Sequence, residues 1–405
     1  MSKKLKVFET FAGIGAQHKA LTKIFNNEEL LKKNNLEKKS FEMVGTSEWY
    51  IDGIISYDAI HHGPQETFEG YNDLTKEKML EFLKTYSLSR DSKNLYPYET
   101  LSKQNEKKLK EIYVALKRNK NYGSIVDIKG KDLPKIDMLT YSFPCTDISA
   151  IGKGKGISKS NQKDKTTATR SGLLWEIERI LFELKELNKL PQFLVMENVK
   201  ALLQKKHFED WQIFEREVLE ELGYKNTTML LNSKDFGVPQ SRERVFVVSE
   251  LKGTTNLMVQ GTGEYNKGVG EFLGFDNEEW KQERLSCIPN DTKTRRKMWL
   301  ENKQIFKDTD FFQTITTKQD RHPNNGNVYF PNKEYQILKD GSKVLKSQFR
   351  FMTPRESLKL MGFTDEDYEN VKRIGVPRDE IWKQSGNSIV VNVLEGIFLE
   401  ILKRF

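Results

Sequence analysis

The chain is predicted to be an α/β protein with a mostly parallel sheet, joined to a smaller irregular domain. Three observations predict it. Strand-like and helix-like segments alternate up to about residue 250, and a glycine-rich turn links the first strand to the first helix. Beyond Glu250 the alternation dissolves into glycine-, asparagine- and lysine-rich sequence of weak periodicity that runs to about Gln348. Although 31% of its residues are charged, 6 Trp, 14 Tyr and 24 Phe can anchor sizeable cores, which excludes a disordered chain.

The first sixty residues read as a βαβ opening: a strand from Lys6 to Phe11, a turn over Ala12 to Ala16, a helix through Ala20 and Phe25, and a strand from Phe41 to Thr46. Residues 26–40 and 63–121 are polar and read as solvated surface insertions. Strand signals resume at 124–128 and 136–141, then recur at 193–196, 228–231 and 245–249. Helical spacing predicts helices over 173–184 and about 211–222, and a C-terminal helix over 389–402 whose apolar residues belong to the core. The expected division is a main domain at 1–265, a second domain at 266–380 and a segment at 381–405 that returns to the first.

Composition limits the chemistry. A formal charge of +8 and a pI of about 9.0 permit a polyanionic partner without proving one. Two cysteines, Cys145 and Cys287, exclude a disulfide scaffold and a cysteine-rich zinc module, so no metal is expected. No window approaches eighteen uninterrupted apolar residues, and the start has no secretory apolar region, so neither export nor membrane spanning is expected.

The turn Phe11-Ala-Gly-Ile-Gly, with Gly13 and Gly15, lets backbone amides approach a ligand, although an ordinary tight turn would look the same. His18 stands where a dinucleotide fingerprint needs its third glycine, which argues against a pyrophosphate and against a nicotinamide oxidoreductase. After the next strand, Glu48 can accept from two ribose hydroxyls and Trp49 can cover an adenine. Together they describe a nucleoside site without phosphates.

Phe143-Pro-Cys follows a strand, so Cys145 faces the crevice where parallel sheets bind ligands and is a candidate nucleophile. A thiol with a pKa of about 8.5 needs a base or positive potential to work at neutral pH, and a small buried hydrophobe is the commoner fate of a lone cysteine. The loop from Ile151 to Arg170 carries several lysines and fits either a solvated connector or a lid that meets phosphates. Glu197 ends another strand, where a carboxylic acid near the thiol can protonate a ring under nucleophilic attack. Arg242 and Arg244, two apart, point the same way if their stretch is extended, as a polar clamp or as surface arginines.

The whole series resembles the DNA cytosine-5 methyltransferases of bacterial restriction-modification or orphan type. The residues that carry the resemblance, in order, are Phe11 to Gly15, Glu48-Trp49, Asp127-Ile128, Phe143-Pro-Cys, Glu197-Asn-Val, Gln240-x-Arg242-x-Arg244, Thr353-Pro-Arg-Glu-Ser-Leu-Lys-Leu-Met-Gly-Phe and Gly386-Asn-Ser-Ile. The resemblance implies a Rossmann-like S-adenosylmethionine-dependent methyltransferase domain and, at about 266–350, a target-recognition region. It implies that Phe11, Gly13, Gly15, Glu48, Trp49, Asp127, Ile128, Pro144, Asn387 and Ser388 contact S-adenosylmethionine, with S-adenosylhomocysteine as product. Cys145 is then the nucleophile, with Glu197, Arg242 and Arg244 completing the catalytic set. Double-stranded DNA is the implied partner, contacted by Ser149, Lys153, Lys155, Gln240, Thr314, Lys318 and Arg321, with a cytosine flipped out of the duplex for reaction. A separate restriction endonuclease, a monomeric state and a bacterial cytoplasmic location at the nucleoid complete the expectation.

Two positions depart from the family pattern. Ala16 stands where a further glycine is common, and Thr146 where glutamine usually follows the Pro-Cys pair. A tRNA methyltransferase shares the catalytic motifs, but that branch usually carries a Cys-Phe-Thr segment, whereas Ile288 and Pro289 follow Cys287 here. A catalytically silent DNA-binding homologue is disfavoured by retention of Cys145, Glu197 and Arg244.

Overall fold

Strand β1 (Lys3–Thr10) is buried continuously from Val7 onward, as a central strand covered on both faces must be. The computed structural model describes residues 3–144, 170–253, 257–261, 268–319, 326–331 and 333–405. Beside β1 lie β2 (Lys39–Ser47), β3 (Met138–Tyr141), β4 (Phe193–Val199), β5 (Tyr224–Asn232) and β7 (Glu243–Leu251), in the order β2-β1-β3-β4-β7-β5. A two-residue strand, β6 (Gln240–Ser241), precedes β7. The pairs of β1 with β2, β1 with β3 and β3 with β4 are parallel, and β4 with β7 is antiparallel.

The chain divides into two units: Met1–Leu231 with Glu243–Gln260 and Leu394–Phe405, and Asn232–Arg242 with Gly261–Val393. In the first unit the helices are α1 (Ala16–Phe25), α2 (Glu28–Lys33), α3 (Ile51–His62), α4 (Lys76–Leu83), α5 (Tyr98–Leu101), α6 (Glu106–Arg118), α7 (Leu174–Glu186) and α8 (Lys205–Phe214). Leu174, Ile177, Ile180, Leu181 and Leu184 repeat every three or four residues, so α7 lays one apolar stripe into a core shared with Leu139, Leu194, Trp211 and Phe214. Each such fully buried side chain contributes about 1.5–3 kcal/mol.

Three expectations are corrected. Residues 63–121 are not solvated decoration: Met79, Leu83, Leu101, Leu109, Ile112 and Leu116 are buried, and α6 packs on α3. Residues 124–128 form no strand, because the chain makes a 3₁₀ turn at Ile125–Asp127. The helix expected over about 211–222 starts earlier, as α8, and continues into a π-helical turn at Glu215–Glu220.

The second unit carries α9 (Lys281–Ser286), α10 (Lys293–Glu301), α11 (Pro354–Lys359), α12 (Asp365–Arg373) and α13 (Arg378–Asn387), with short strands between. Helix α11 begins with Thr353 as N-cap in a reciprocal capping box with Glu356, and Pro354 sits in its first turn. The last helix, α14 (Val391–Arg404), has residues in both units. By length and composition alone the stretch Arg378–Arg404 is apolar enough to cross a membrane, but most of that stretch lies inside the protein.

Candidate active site

The sheet register aligns the site. Ser47, Thr10, Tyr141 and Met196 form one row across β2, β1, β3 and β4. The next residues, Glu48, Phe11, Ser142 and Glu197, therefore stand together at the carboxyl edge of the parallel strands, where such sheets bind ligands. Antiparallel β7 starts at the same edge, with Arg244 paired to Val199.

The turn after β1 is built for close approach. Phe11, Gly13 and Gly15 all have positive φ, at 52°, 54° and 79°. At Gly15 a side chain is impossible twice over, since a Cβ would also lie 2.2 Å from His61 Nε2. A Cβ on Gly13 would meet nothing within 4 Å, so that side of the turn is open. The Gly13 amide donates to Glu48 Oε2 at 2.8 Å, while the amides of Trp49 and Tyr50 donate to Oε1, also at 2.8 Å. Burial pushes the Glu48 carboxyl above the usual range, against the pull of these three donors. Asp127 is exposed and Ile128 buried.

Beneath the turn lies a polar cluster that sequence reasoning missed, because no short motif joins its members. Tyr57 on α3 donates to Glu9 Oε2 at 3.3 Å and lies 3.0 Å from His18 Nδ1, and the rings of His18 and His61 stack with centroids 4.1 Å apart. Burial pushes Glu9 up to about 8 from 4.5 and His18 down to about 3 from 6.5. Neutral Glu9 binds more protons folded than unfolded between those values, so its stabilisation is full below pH 4.5 and is lost as pH rises through 8. The histidine has the opposite sign: its stabilisation is full above 6.5 and is lost as pH falls toward 3. Glu9→Gln is expected to flatten the decline in melting temperature between pH 5 and 8.5, measured by calorimetry on both proteins. Parallel curves would show that Glu9 does not titrate in that window.

At the other end of the edge, Arg244 Nε lies 3.3 Å from Glu197 Oε1, and both side chains are largely but not wholly buried. Arg244 also donates to the Glu243 carbonyl at 2.8 Å. Asn198 is a second residue without a role in the sequence reading. Its Nδ2 donates to the Phe143 carbonyl at 3.2 Å and its Oδ1 accepts from the Val199 amide at 2.8 Å, which ties the Phe143-Pro144 backbone to the end of β4. Cys145, Ser149, Lys153, Lys155 and Arg321 lie outside the described residues.

In the second unit, Arg242, expected in a polar clamp or at the surface, turns its side chain to backbone carbonyls. Its buried guanidinium donates to the carbonyls of Ile315 at 2.8 Å, Gly386 at 3.1 Å and Ser388 at 2.8 Å. Gln240, expected at DNA, is entirely buried, donating to the Leu360 carbonyl at 2.7 Å and accepting from the Ile315 amide at 2.9 Å. A surface role for either fails for one reason: all these bonds are made inside the protein. Thr314 donates to the Ser241 carbonyl at 2.9 Å, and Lys318 is exposed. Gly386 has no room for a Cβ, which would lie 2.4 Å from the Thr316–Thr317 peptide, and exposed Asn387 ends α13 with Ser388 as its cap.

A family model described as C-5 cytosine-specific DNA methylase matches residues 98–403. The chain belongs to that family. This DNA (cytosine-5) methyltransferase is 35% identical to the orphan methyltransferase M.SssI of Spiroplasma monobiae, over 98% of the chain and 97% of the relative. It is 34% identical to the type II methyltransferase M2.ScrFI of Lactococcus lactis subsp. cremoris, over 98% and 99%. Among solved structures, the Entamoeba histolytica methyltransferase EhMeth matches with a TM-score of 0.61 at 15% identity, covering 98% of each chain, and shows the same fold. The α/β architecture with a mostly parallel sheet is thus that of the S-adenosylmethionine-dependent methyltransferases.

Proposed function

We propose that the enzyme methylates carbon 5 of a cytosine turned out of double-stranded DNA, within a short specific sequence, through a covalent bond between Cys145 and carbon 6. The observation that carries this reading is the alignment of Phe11, Glu48, Ser142 and Glu197 along one sheet edge, with Arg244 against Glu197.

S-adenosylmethionine, when bound, supplies a methyl group on a sulfonium. In the first unit Phe11, Gly13, Gly15, Glu48, Trp49, Asp127, Ile128 and Pro144 would hold it; Asn387 and Ser388 are the contacts proposed from the second. The residues fit a nucleoside without phosphates. The Gly13 amide, which a phosphate would need, already serves the Glu48 carboxylate, and the open side of Gly13 leaves room for a ligand.

Carbon 5 of cytosine is a weak nucleophile, so the ring must first be made electron-rich. The Cys145 thiolate gives its electron pair to carbon 6 while Glu197, as the acid, delivers a proton to N3 and Arg244 holds O2. Carbon 5, now part of an enamine, accepts the methyl group. Its proton then leaves to a base, the ring double bond re-forms, the sulfur–carbon bond breaks to return the thiolate, and N3 returns its proton to Glu197. A stacked base offers no access to carbon 6, so flipping must be paid at a cost of a few kcal/mol. Thr314, Lys318, Arg321, Ser149, Lys153 and Lys155 are the proposed DNA contacts. Arg242 and Gln240 are internal and serve by fixing the backbone at 315.

Bisulfite sequencing of unmethylated genomic DNA, after incubation with the protein and S-adenosylmethionine, is expected to show cytosines protected within one short motif. Unprotected DNA, in a preparation that binds the cofactor, would overturn the reading.

A further inference from the structure

Residues 63–121 are one of two segments, with 26–40, that the sequence reads as solvated insertions. Their structure gives them a purpose at the end of β2. Thr46 donates its amide to the Lys120 carbonyl at 3.2 Å and accepts from the Tyr122 amide at 2.8 Å, while Ser47 Oγ donates to the Gly123 carbonyl at 2.9 Å. Beyond Glu48, the Trp49 carbonyl accepts from the Ser89 amide at 2.8 Å, and the Ile51 amide donates to the Ser89 carbonyl at 2.9 Å. The backbone on both sides of Glu48 and Trp49 is thus gripped by the middle and the end of one added segment, through parallel bridges at Tyr50–Ser89 and Thr46–Asn121. Asn119 adds a bond from its Nδ2 to the Ile54 carbonyl at 2.9 Å, in the first turn of α3.

The downstream grip depends on a small ordered loop. Ser89 is fully buried, and its Oγ lies 3.1 Å from Asp91 Oδ1 and donates to the Asn94 carbonyl at 2.7 Å. Asp91 Oδ1 accepts from the amides of Lys93 and Asn94, both at 2.8 Å, and Oδ2 accepts from Asn94 Nδ2 at 2.7 Å. Asp91 itself is exposed, so it orders the loop without filling a core.

We propose that Ser89 and Asp91 are positioning residues for recognition of the cofactor's adenosine, acting through the backbone of Trp49 to Ile51. The proposal rests on the reading of Glu48 and Trp49 as the adenosine contacts. A carboxylate that must meet two hydroxyls and an indole that must cover a base gain affinity when their backbone is held before the ligand arrives. The bonds of this loop run to the backbone of Trp49 and Ile51 and within the loop itself, so the expected effect is on the cofactor.

The test is calorimetric titration of S-adenosylhomocysteine into the full-length protein and its Asp91→Ala, Asp91→Asn and Glu48→Ala variants, with methyl-transfer kinetics alongside. Asp91→Ala removes every bond its carboxylate accepts and is expected to raise the Kd about fivefold, because only part of that lost ordering reaches the ligand. The cofactor KM should rise with it, while kcat and DNA affinity stay unchanged. Asp91→Asn keeps an Oδ1 acceptor and is expected to restore most of the affinity. Hydrogen exchange of peptides spanning 46–52 should quicken in Asp91→Ala at unchanged global stability, a readout available even if the binding loss is small. Weaker binding in Glu48→Ala together with wild-type binding and exchange in Asp91→Ala would overturn the proposal. So would losses in kcat and DNA affinity that parallel the loss for cofactor. Undiminished binding in Glu48→Ala would instead remove the adenosine reading on which the proposal stands.

Discussion

Replacing Cys145 with alanine is expected to lower methyl transfer by at least about four orders of magnitude, because removing a nucleophile removes the covalent route and not merely one contact. Without a bond at carbon 6 the cytosine ring is not an enamine, and carbon 5 has no electron pair to offer the sulfonium. The cofactor contacts proposed above involve other side chains, so the Kd for S-adenosylhomocysteine should stay within about twofold of wild type, which is the usual scatter for a substitution away from the ligand. Incorporation of labelled methyl groups into DNA, beside calorimetry of the cofactor product, separates the two. Turnover within a hundredfold of wild type would show that the thiol makes no bond in the reaction.

The second large effect is on stability and lies in the other unit. Arg350 is entirely buried, donating from Nη1 and Nη2 to the two oxygens of Glu356, each at 2.8 Å, and also to the carbonyls of Phe351 and Leu273. Glu356 Oε2 in addition accepts from the Thr353 amide at 2.8 Å and so closes the capping box of α11. Glu356→Ala would leave a guanidinium in the core with carbonyl partners only, and an amide without its acceptor. Removing one member of such a pair costs about 3–5 kcal/mol, since the charge left behind is uncompensated. The loss of the Thr353 amide's acceptor, the reciprocal half of the capping box, adds about 1 kcal/mol, while the Thr353 hydroxyl goes on capping the amide of residue 356. Urea denaturation should show a transition from this unit at markedly lower denaturant, and limited proteolysis should cut it first. A loss below about 1 kcal/mol would mean that water reaches Arg350 in the variant.

Much of this was legible in the chain before its structure. The turn at Phe11 to Gly15, Glu48-Trp49 and Glu197 each follow a strand, and a short-range rule suffices to place such residues at one edge of a parallel sheet. Longer-range partners were not legible. The spacing of Arg242 and Arg244 predicts a shared face only in an unbroken strand, and the chain breaks there: β6 ends at Ser241 and β7 begins at Glu243. Residues 63–121 look solvated because lysines and glutamates surround the buried face of α6, yet Leu109, Ile112 and Leu116 recur at helical spacing. The set of buried Glu9 and Tyr57 with half-buried His18 and His61 joins residues up to 52 positions apart, and nothing local marks such a meeting.

The interleaving of the two units has a consequence for the protein's synthesis. The first unit needs its final piece, since Ile397, Phe398, Ile401 and Leu402 on α14 are buried and ion pairs join Glu395 to Lys23 and Arg404 to Glu250. At ribosomal rates of about 5–20 residues per second, roughly 10–40 s separate the emergence of β4 from that of this helix. Through that interval the growing first unit lacks the last helix whose apolar side chains it buries, so whatever that helix packs against stays exposed to water while translation finishes.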